Sequence, residues 1–106
     1  MEYNEALEYV RQAAHEHSGV DLSQIKPETR YRLDLAFDSL DGSELELLVS
    51  EKMGTDIDFS EIIPVGEAYP GESEITKDVT IEELARVVLE QYNEQSSRVK
   101  LSQPSV

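Results

Sequence analysis

The chain contains no cysteine. That excludes a disulfide framework, a thiol nucleophile supplied by the protein and every cysteine-ligated zinc or iron–sulfur site. It fits a reducing compartment. Long apolar runs are missing as well: nothing approaches the ~20 residues that a bilayer-spanning helix needs. The opening "MEYNEALEYV" has no basic stretch followed by an apolar one, so no secretory leader is expected there. These absences lead to the expectation of a cytoplasmic protein without stable membrane insertion. Basic side chains are scarce too. Nine Lys and Arg stand against 23 Asp and Glu, a formal net charge of −14. Nucleic acid and anionic membranes are recognised through Lys and Arg, so neither suits this chain. Proteins with basic patches do, reached by electrostatic steering. The plainer reading is acidity that keeps a small protein soluble.

Catalytic signatures are equally short. There is no glycine-rich phosphate loop, no His-Glu-x-x-His and no Gly-x-Ser-x-Gly elbow. A Ser-His-Asp triad would need a histidine from the N-terminal helix, and nothing orients one toward a serine. His15 and His17 lie two apart, off a common helix face and without a third ligand, so they read as solvated rather than metal-binding. Nor does "DSLDG" open a calcium loop. With Asp41-Gly42 at the fifth and sixth positions, Phe37 and Leu48 fall where carboxylates are required. No enzymatic activity is expected.

What is present is helical patterning over 106 residues, enough for one small domain. Tyr3, Leu7, Val10 and Ala14 recur at three- and four-residue spacing, with Ala6 and Ala13 beside them, and Gly19 suits the end of that helix. Residues 20 to 38 have no sustained period and contain Pro27. Their recurring Val20, Leu22, Ile25, Tyr31, Leu33 and Leu35 predict a long connection pinned across the core. A second helix is predicted from Ser39 to about Met53, with Leu45, Leu48, Val49 and Met53 buried and Gly54 closing it. Between Asp38 and Asp58 there are seven acids and one base, Lys52. "FSEIIPV" suggests a short turn of helix, "VGEAYPGESE" an exposed loop, and no strand pair is evident. "TIEE" is a capping box, Thr80 with Glu83, opening a last helix whose stripe is Ile81, Leu84, Ala85, Val88 and Tyr92. The fold class expected is all-α: a small bundle of three main helices, a short third helix or turn, and a long loop between helices one and two. The domain would span 1–93, and the polar residues 94–106 read as a disordered tail.

Ser39 is the residue with two readings. Serine is a favoured N-cap, its hydroxyl accepting from a backbone N–H two or three residues on, and Asp41 in the first turn would suit the helix dipole. The same geometry places a hydroxyl at a positive helix end, where an attached phosphodiester would be favoured. A group-carrying cofactor could hang there with little disturbance to the core.

The stretch "FDSLDGSELELLVSEKMGTDI" resembles the acyl carrier proteins, whose hallmark is Asp-Ser-Leu opening the second helix. Asp38, Ser39, Leu40 and Asp41 are followed by a Glu-Leu pair, Glu44 and Leu45. The turn at Gly19-Val20, Ile25, Tyr31, Asp34-Leu35 and the last helix fall in family-like order, so about three-quarters of the chain is covered. The resemblance implies an acyl-carrier-like bundle in which Ser39 bears 4′-phosphopantetheine, whose thiol would carry acyl intermediates of fatty-acid, specialised lipid or polyketide biosynthesis. It implies that Asp38 supports attachment and contacts a phosphopantetheinyl transferase. It further implies that Leu40, Asp41, Glu44, Glu46, Leu47 and Glu51 meet acyl-transferring and acyl-modifying enzymes bearing basic patches, the carrier being a monomer. An aminoacyl or peptidyl carrier shares this chemistry, and an unmodified interaction module of the same fold is the rival from another class. The departures from the family are specific. Ala36-Phe37 stands where Gly with a small or aliphatic residue is usual, Phe37 adding bulk near the cofactor site. Gly42 and Ser43 replace better helix formers, Gly42 loosening the first turn by up to roughly 1 kcal/mol. The segment from Ile57 to Thr80 is longer than in common fatty-acid carriers, which points to a specialised member.

Overall fold

The computed structural model describes the backbone of residues 1–63, 65–69, 72–75 and 78–102, and the side chains of these residues apart from Ser39, 65–75 and 96–102. Helix α1 runs Tyr3–Ser18, α2 runs Ser39–Met53 and α3 runs Ile81–Ser102. Both α2 and α3 pack against α1. The small side chains of Ala6, Ala13 and Ala14, all buried, let neighbouring elements come close to its inner face. With Val10 the core gathers Leu45 and Val49 from α2 and Ile81, Leu84, Ala85 and Val88 from α3. Leu48 and Met53, expected in the buried stripe, sit at its margin.

The ends of these helices follow from identifiable residues. Gly19 (φ 76°) and Gly54 (φ 67°) take the left-handed conformation and close α1 and α2, donating to His15 O and Ser50 O. The box at α3 forms as the sequence predicts: Thr80 N donates to Glu83 Oε1 at 3.2 Å, and Glu83 N to Thr80 Oγ1 at 3.2 Å.

The connection between α1 and α2 is pinned, and its bonds show how. A buried backbone must still satisfy its N–H and C=O groups. Here Tyr31 N donates to Val79 O (2.7 Å), Ile81 N to Thr29 O (2.9 Å) and Glu82 N to Pro27 O (2.9 Å). The Arg11 guanidinium holds the carbonyls of Ile25 (2.6 Å) and Leu22 (2.8 Å), the latter in a 3₁₀ turn at Leu22–Gln24. Ile25 and Tyr31 are fully buried by these contacts. Leu33 is the exception: it is 66% exposed rather than buried. Its backbone N–H and that of Arg32 bond the Asp78 carboxylate, which turns this part of the connection outward.

Two further expectations are corrected. A two-stranded antiparallel hairpin, β1 (Val65–Tyr69) and β2 (Glu72–Ile75), lies in the segment read as loop. Its strands are too short and too interrupted by Gly66 for the alternation to be visible. The hairpin lies between Ile57 and Thr80, and β2 touches α2. Just before it, Ile62 N and Ile63 N both donate to Phe59 O, making the expected short turn. That turn delivers Ile57, Phe59 and Ile63 to the core. Finally, α3 continues past Asn93 to Ser102, while residues 103–106 of the expected tail lie outside the described residues. Glu, Gln, Arg and Lys are good helix formers, and extending an existing helix costs little. Two glutamines also tie α3 sideways: Gln91 Nε2 donates to Asp58 O and Gln95 Nε2 to Asp56 O, each at 2.6 Å.

Ala36 has φ 56°, a left-handed conformation outside glycine. It costs about 1–2 kcal/mol, roughly what burial of the next side chain, Phe37, returns. Glycine is the residue that suits that backbone. Ala36→Gly is therefore expected to stabilise the fold by up to about 1 kcal/mol, read as a higher midpoint in urea with an unchanged slope.

Candidate functional site

The N-terminal turn of α2 is built by Asp38, not by Ser39. Asp38 is the N-cap, and its Oδ1 accepts from Leu40 N (2.9 Å) and Asp41 N (3.0 Å). Asp41 Oδ2 reaches back to accept from Asp38 N at 2.6 Å, completing a capping box. Ser39 is the first helical residue. Both the cap reading and the anion reading of Ser39 change as a result. Two of the N–H groups that would greet a phosphate at this helix end, those of Leu40 and Asp41, already serve the Asp38 carboxylate.

Several contacts hold this turn. Tyr31 Oη donates to Asp38 O, the carbonyl that also accepts from Gly42 N (3.2 Å). A Cβ on Gly42 would lie 3.0 Å from Tyr31 Oη. Gly42 is thus what admits the phenol, a close approach that outweighs its low helix propensity. Phe37 is buried, its ring edge-on to Tyr31 (5.2 Å) and to His17 (5.4 Å). It fills the core beside the site rather than projecting from it. His17 is not simply solvated: its Nε2 lies 2.6 Å from Asp41 Oδ1, joining the end of α1 to the first turn of α2. Burial pushes the Asp41 carboxyl upward, but the hydrogen bonds with His17 and Asp38 outweigh it and hold it below the usual carboxylate range. Burial drives the Tyr31 phenol far above its ordinary range, and the Asp41, Asp38 and Glu46 carboxylates add to the effect, so it remains a donor.

The residues named as partner contacts divide into two groups. Leu40 (75% exposed), Glu44, Leu47 (54% exposed) and Glu51 are open to solvent. Their spacing of four, three and four residues lines them along one outer stripe of α2. Asp41 and Glu46 point elsewhere. Asp41 is held by the capping box and His17, and Glu46 Oε1 accepts from Phe59 N at 2.7 Å. Burial raises the Glu46 carboxyl above its usual range, the Phe59 N–H opposing and the Asp58 charge adding to the rise. Lys52, the lone base of the segment, is paired with Glu16 at 2.7 Å.

Next to the Ser39 position runs a cavity of about 430 Å³ lined by Gly42, Ser43 and Glu46 of α2 and by Asp58, Phe59, Ser60 and Ile63 of the following turn. Positions 39, 42, 43 and 46 share one helix face, so the cavity begins one turn beyond Ser39. Sequence reading missed Phe59 and Ile63 as its far wall. Their apolar spacing with Ile57 was the available signal. Among the described residues no group of three or more His, Asp or Glu could hold a metal ion, and no helix is long and apolar enough to cross a membrane. No protein-family model matches this chain, and no solved structure matches it.

Two outcomes check this site. Asp38→Ala should cost about 1 kcal/mol through the lost cap, whereas Ser39→Ala should stay within about 0.5 kcal/mol of the parent. Urea denaturation of both variants distinguishes them. Glu46, its folded pKa raised above the unfolded one, favours folding in its protonated form. That contribution is complete below the unfolded pKa and is lost as pH rises through the folded one. Glu46→Gln keeps the acceptor for Phe59 N and removes the charge. It should melt higher than the parent near neutral pH, with the advantage gone at ~pH 3; melts at both pH values check it.

Proposed function

We propose that this chain is a non-catalytic carrier of acyl groups, with Ser39 as the attachment point for 4′-phosphopantetheine. The observation that carries the reading is the division of labour at the start of α2. Asp38 performs the capping for which a serine would otherwise be needed, so Ser39 in the Asp-Ser-Leu-Asp run is left without that structural duty. Its neighbours Asp38 and Leu40 are exposed, which leaves the turn approachable by a large enzyme. The helix order, the long pinned connection and the serine at the head of the second long helix are consistent with an acyl-carrier arrangement.

The residues fit the prosthetic group through access rather than through anion recognition. Gly42, Ser43 and Glu46, with Phe59, Ser60 and Ile63 opposite, would lie along the arm, offering hydroxyls and a carboxylate to its amides and an apolar wall to its methylenes. When bound, the group supplies a thiol that holds a carboxylic acid as a thioester, chemistry for which a chain without cysteine has no group of its own. The chain's own part is to present Ser39 and to be recognised. Leu40 and Leu47 offer apolar anchors, while Glu44 and Glu51 draw basic patches of a phosphopantetheinyl transferase and of acyl-transferring and acyl-modifying enzymes. Asp41 and Glu46 contribute their charge to the field but spend their hydrogen bonds on the fold.

Intact-protein mass after incubation with coenzyme A and a broad-specificity phosphopantetheinyl transferase tests this. The parent is expected to gain one phosphopantetheine, ~340 Da from the chemistry of the group, and Ser39→Ala none. An unchanged parent across several transferases would move the assignment to an unmodified interaction module.

A further inference from the structure

We infer that Tyr31 is a positioning residue for the modification of Ser39, acting through the carbonyl of Asp38; this rests on the carrier reading. Tyr31 engages three parts of the fold near the site. Its N–H donates to Val79 O (2.7 Å), its C=O accepts from Phe37 N (3.1 Å) and its hydroxyl donates to Asp38 O. Phe37 and Asp38 are the two residues that lead into Ser39. Both are therefore referenced to a single buried residue, whose backbone N–H is bonded to the segment entering α3.

The phenol matters because ring burial alone does not require it. A phenylalanine would fill the same space beside Phe37 and leave the Asp38 carbonyl to Gly42 N alone. The hydroxyl is crowded by position 42: a Cβ there would lie 3.0 Å from Tyr31 Oη, and the phenol would have to give way by a few tenths of an ångström. A glycine in the first turn of α2 weakens that turn. The hydroxyl restores order at the same turn from outside the helix. Tyr31 and Gly42 thus form a coupled pair, and their joint effect falls on the backbone that carries Ser39. A nucleophile displaced by about 1 Å can lose roughly a hundredfold in rate, so the reaction should sense the loss of this bond. In that reaction the Ser39 hydroxyl oxygen forms the new phosphoester bond and the pyrophosphate bond of coenzyme A breaks. Adenosine 3′,5′-bisphosphate leaves, and the hydroxyl proton passes to a base on the transferase.

The test compares the parent, Tyr31→Phe, Gly42→Ala and the double variant as full-length chains, at a temperature where circular dichroism shows all four folded. Transfer from coenzyme A is followed by mass. Tyr31→Phe is expected to lower kcat about 3- to 10-fold with the KM for coenzyme A unchanged. Amide exchange at residues 39–42 should accelerate about tenfold relative to residues 45–53 of the same helix. Gly42→Ala should slow transfer in the parent but cause no further loss once the hydroxyl is gone, because its steric partner has been removed. A kcat for Tyr31→Phe equal to the parent's, or a Gly42→Ala effect of equal size with and without the hydroxyl, would overturn the positioning role while leaving the carrier intact. A parent that accepts no phosphopantetheine would overturn the carrier reading and, with it, any role of Tyr31 in modification.

Discussion

A connection that crosses a core must bring partners for its own backbone, and in this protein the residue where that requirement is concentrated is Tyr31. Its main chain is bonded to Val79 and Phe37 and its side chain to Asp38. The approach to α3 and the start of α2 therefore share one reference point. Around it the ring contacts run from Tyr31 to Phe37 to His17, and the His17 imidazole passes the chain of contacts on to Asp41. The first turn of α2 is consequently held by groups from α1 and from the connection, as well as by its own cap. This explains how the turn can tolerate Gly42 and follow a left-handed Ala36. A local weakness of 1–2 kcal/mol is sustainable where several buried contacts define the same geometry.

The acidity of α2 looks uniform in one dimension and is divided in three. Asp38 and Asp41 serve backbone N–H groups at the helix start, and Glu46 serves Phe59 N across the adjoining cavity. Glu44 and Glu51 remain free to face solvent, alternating with Leu40 and Leu47. An outward stripe of two leucines and two glutamates suits transient association better than a purely charged face would. Charge steers the encounter, and desolvation of the leucines gives it contact energy. The inward carboxylates act on the surroundings of this stripe only through the field they share with it.

Helix positions were legible in the residues themselves. The spacing of Val10 with Ala6 and Ala14, the stop signals at Gly19 and Gly54, and the Thr80–Glu83 box are local features, and local features act over one or two turns whatever the rest of the chain does. The burial of Ile25 and Tyr31 was legible for a related reason: an apolar connection with Pro27 has nowhere to go but the core. The hairpin was not legible, because strand pairing depends on a partner and Val65–Tyr69 carries little alternation of its own. Nor was the far end of α3, where polar residues have no stripe to reveal a helix that side contacts from Gln91 and Gln95 help to hold.

At the candidate site the same distinction holds. Residue type and a period of 3.6 were enough to put Asp38, Ser39 and Asp41 at the head of a helix and Leu40, Glu44, Leu47 and Glu51 on one face. Only the tertiary structure decided that Asp38 rather than Ser39 is the cap, that Asp41 turns to His17, that Glu46 turns to Phe59, and that Gly42 is there to admit a phenol. The last three of those choices are made by groups far away along the chain, and the cap by which of two adjacent residues takes the non-helical conformation. Hydrogen-bonding side chains commit to whichever donor or void the packed fold brings within reach, and sequence spacing carries no record of that.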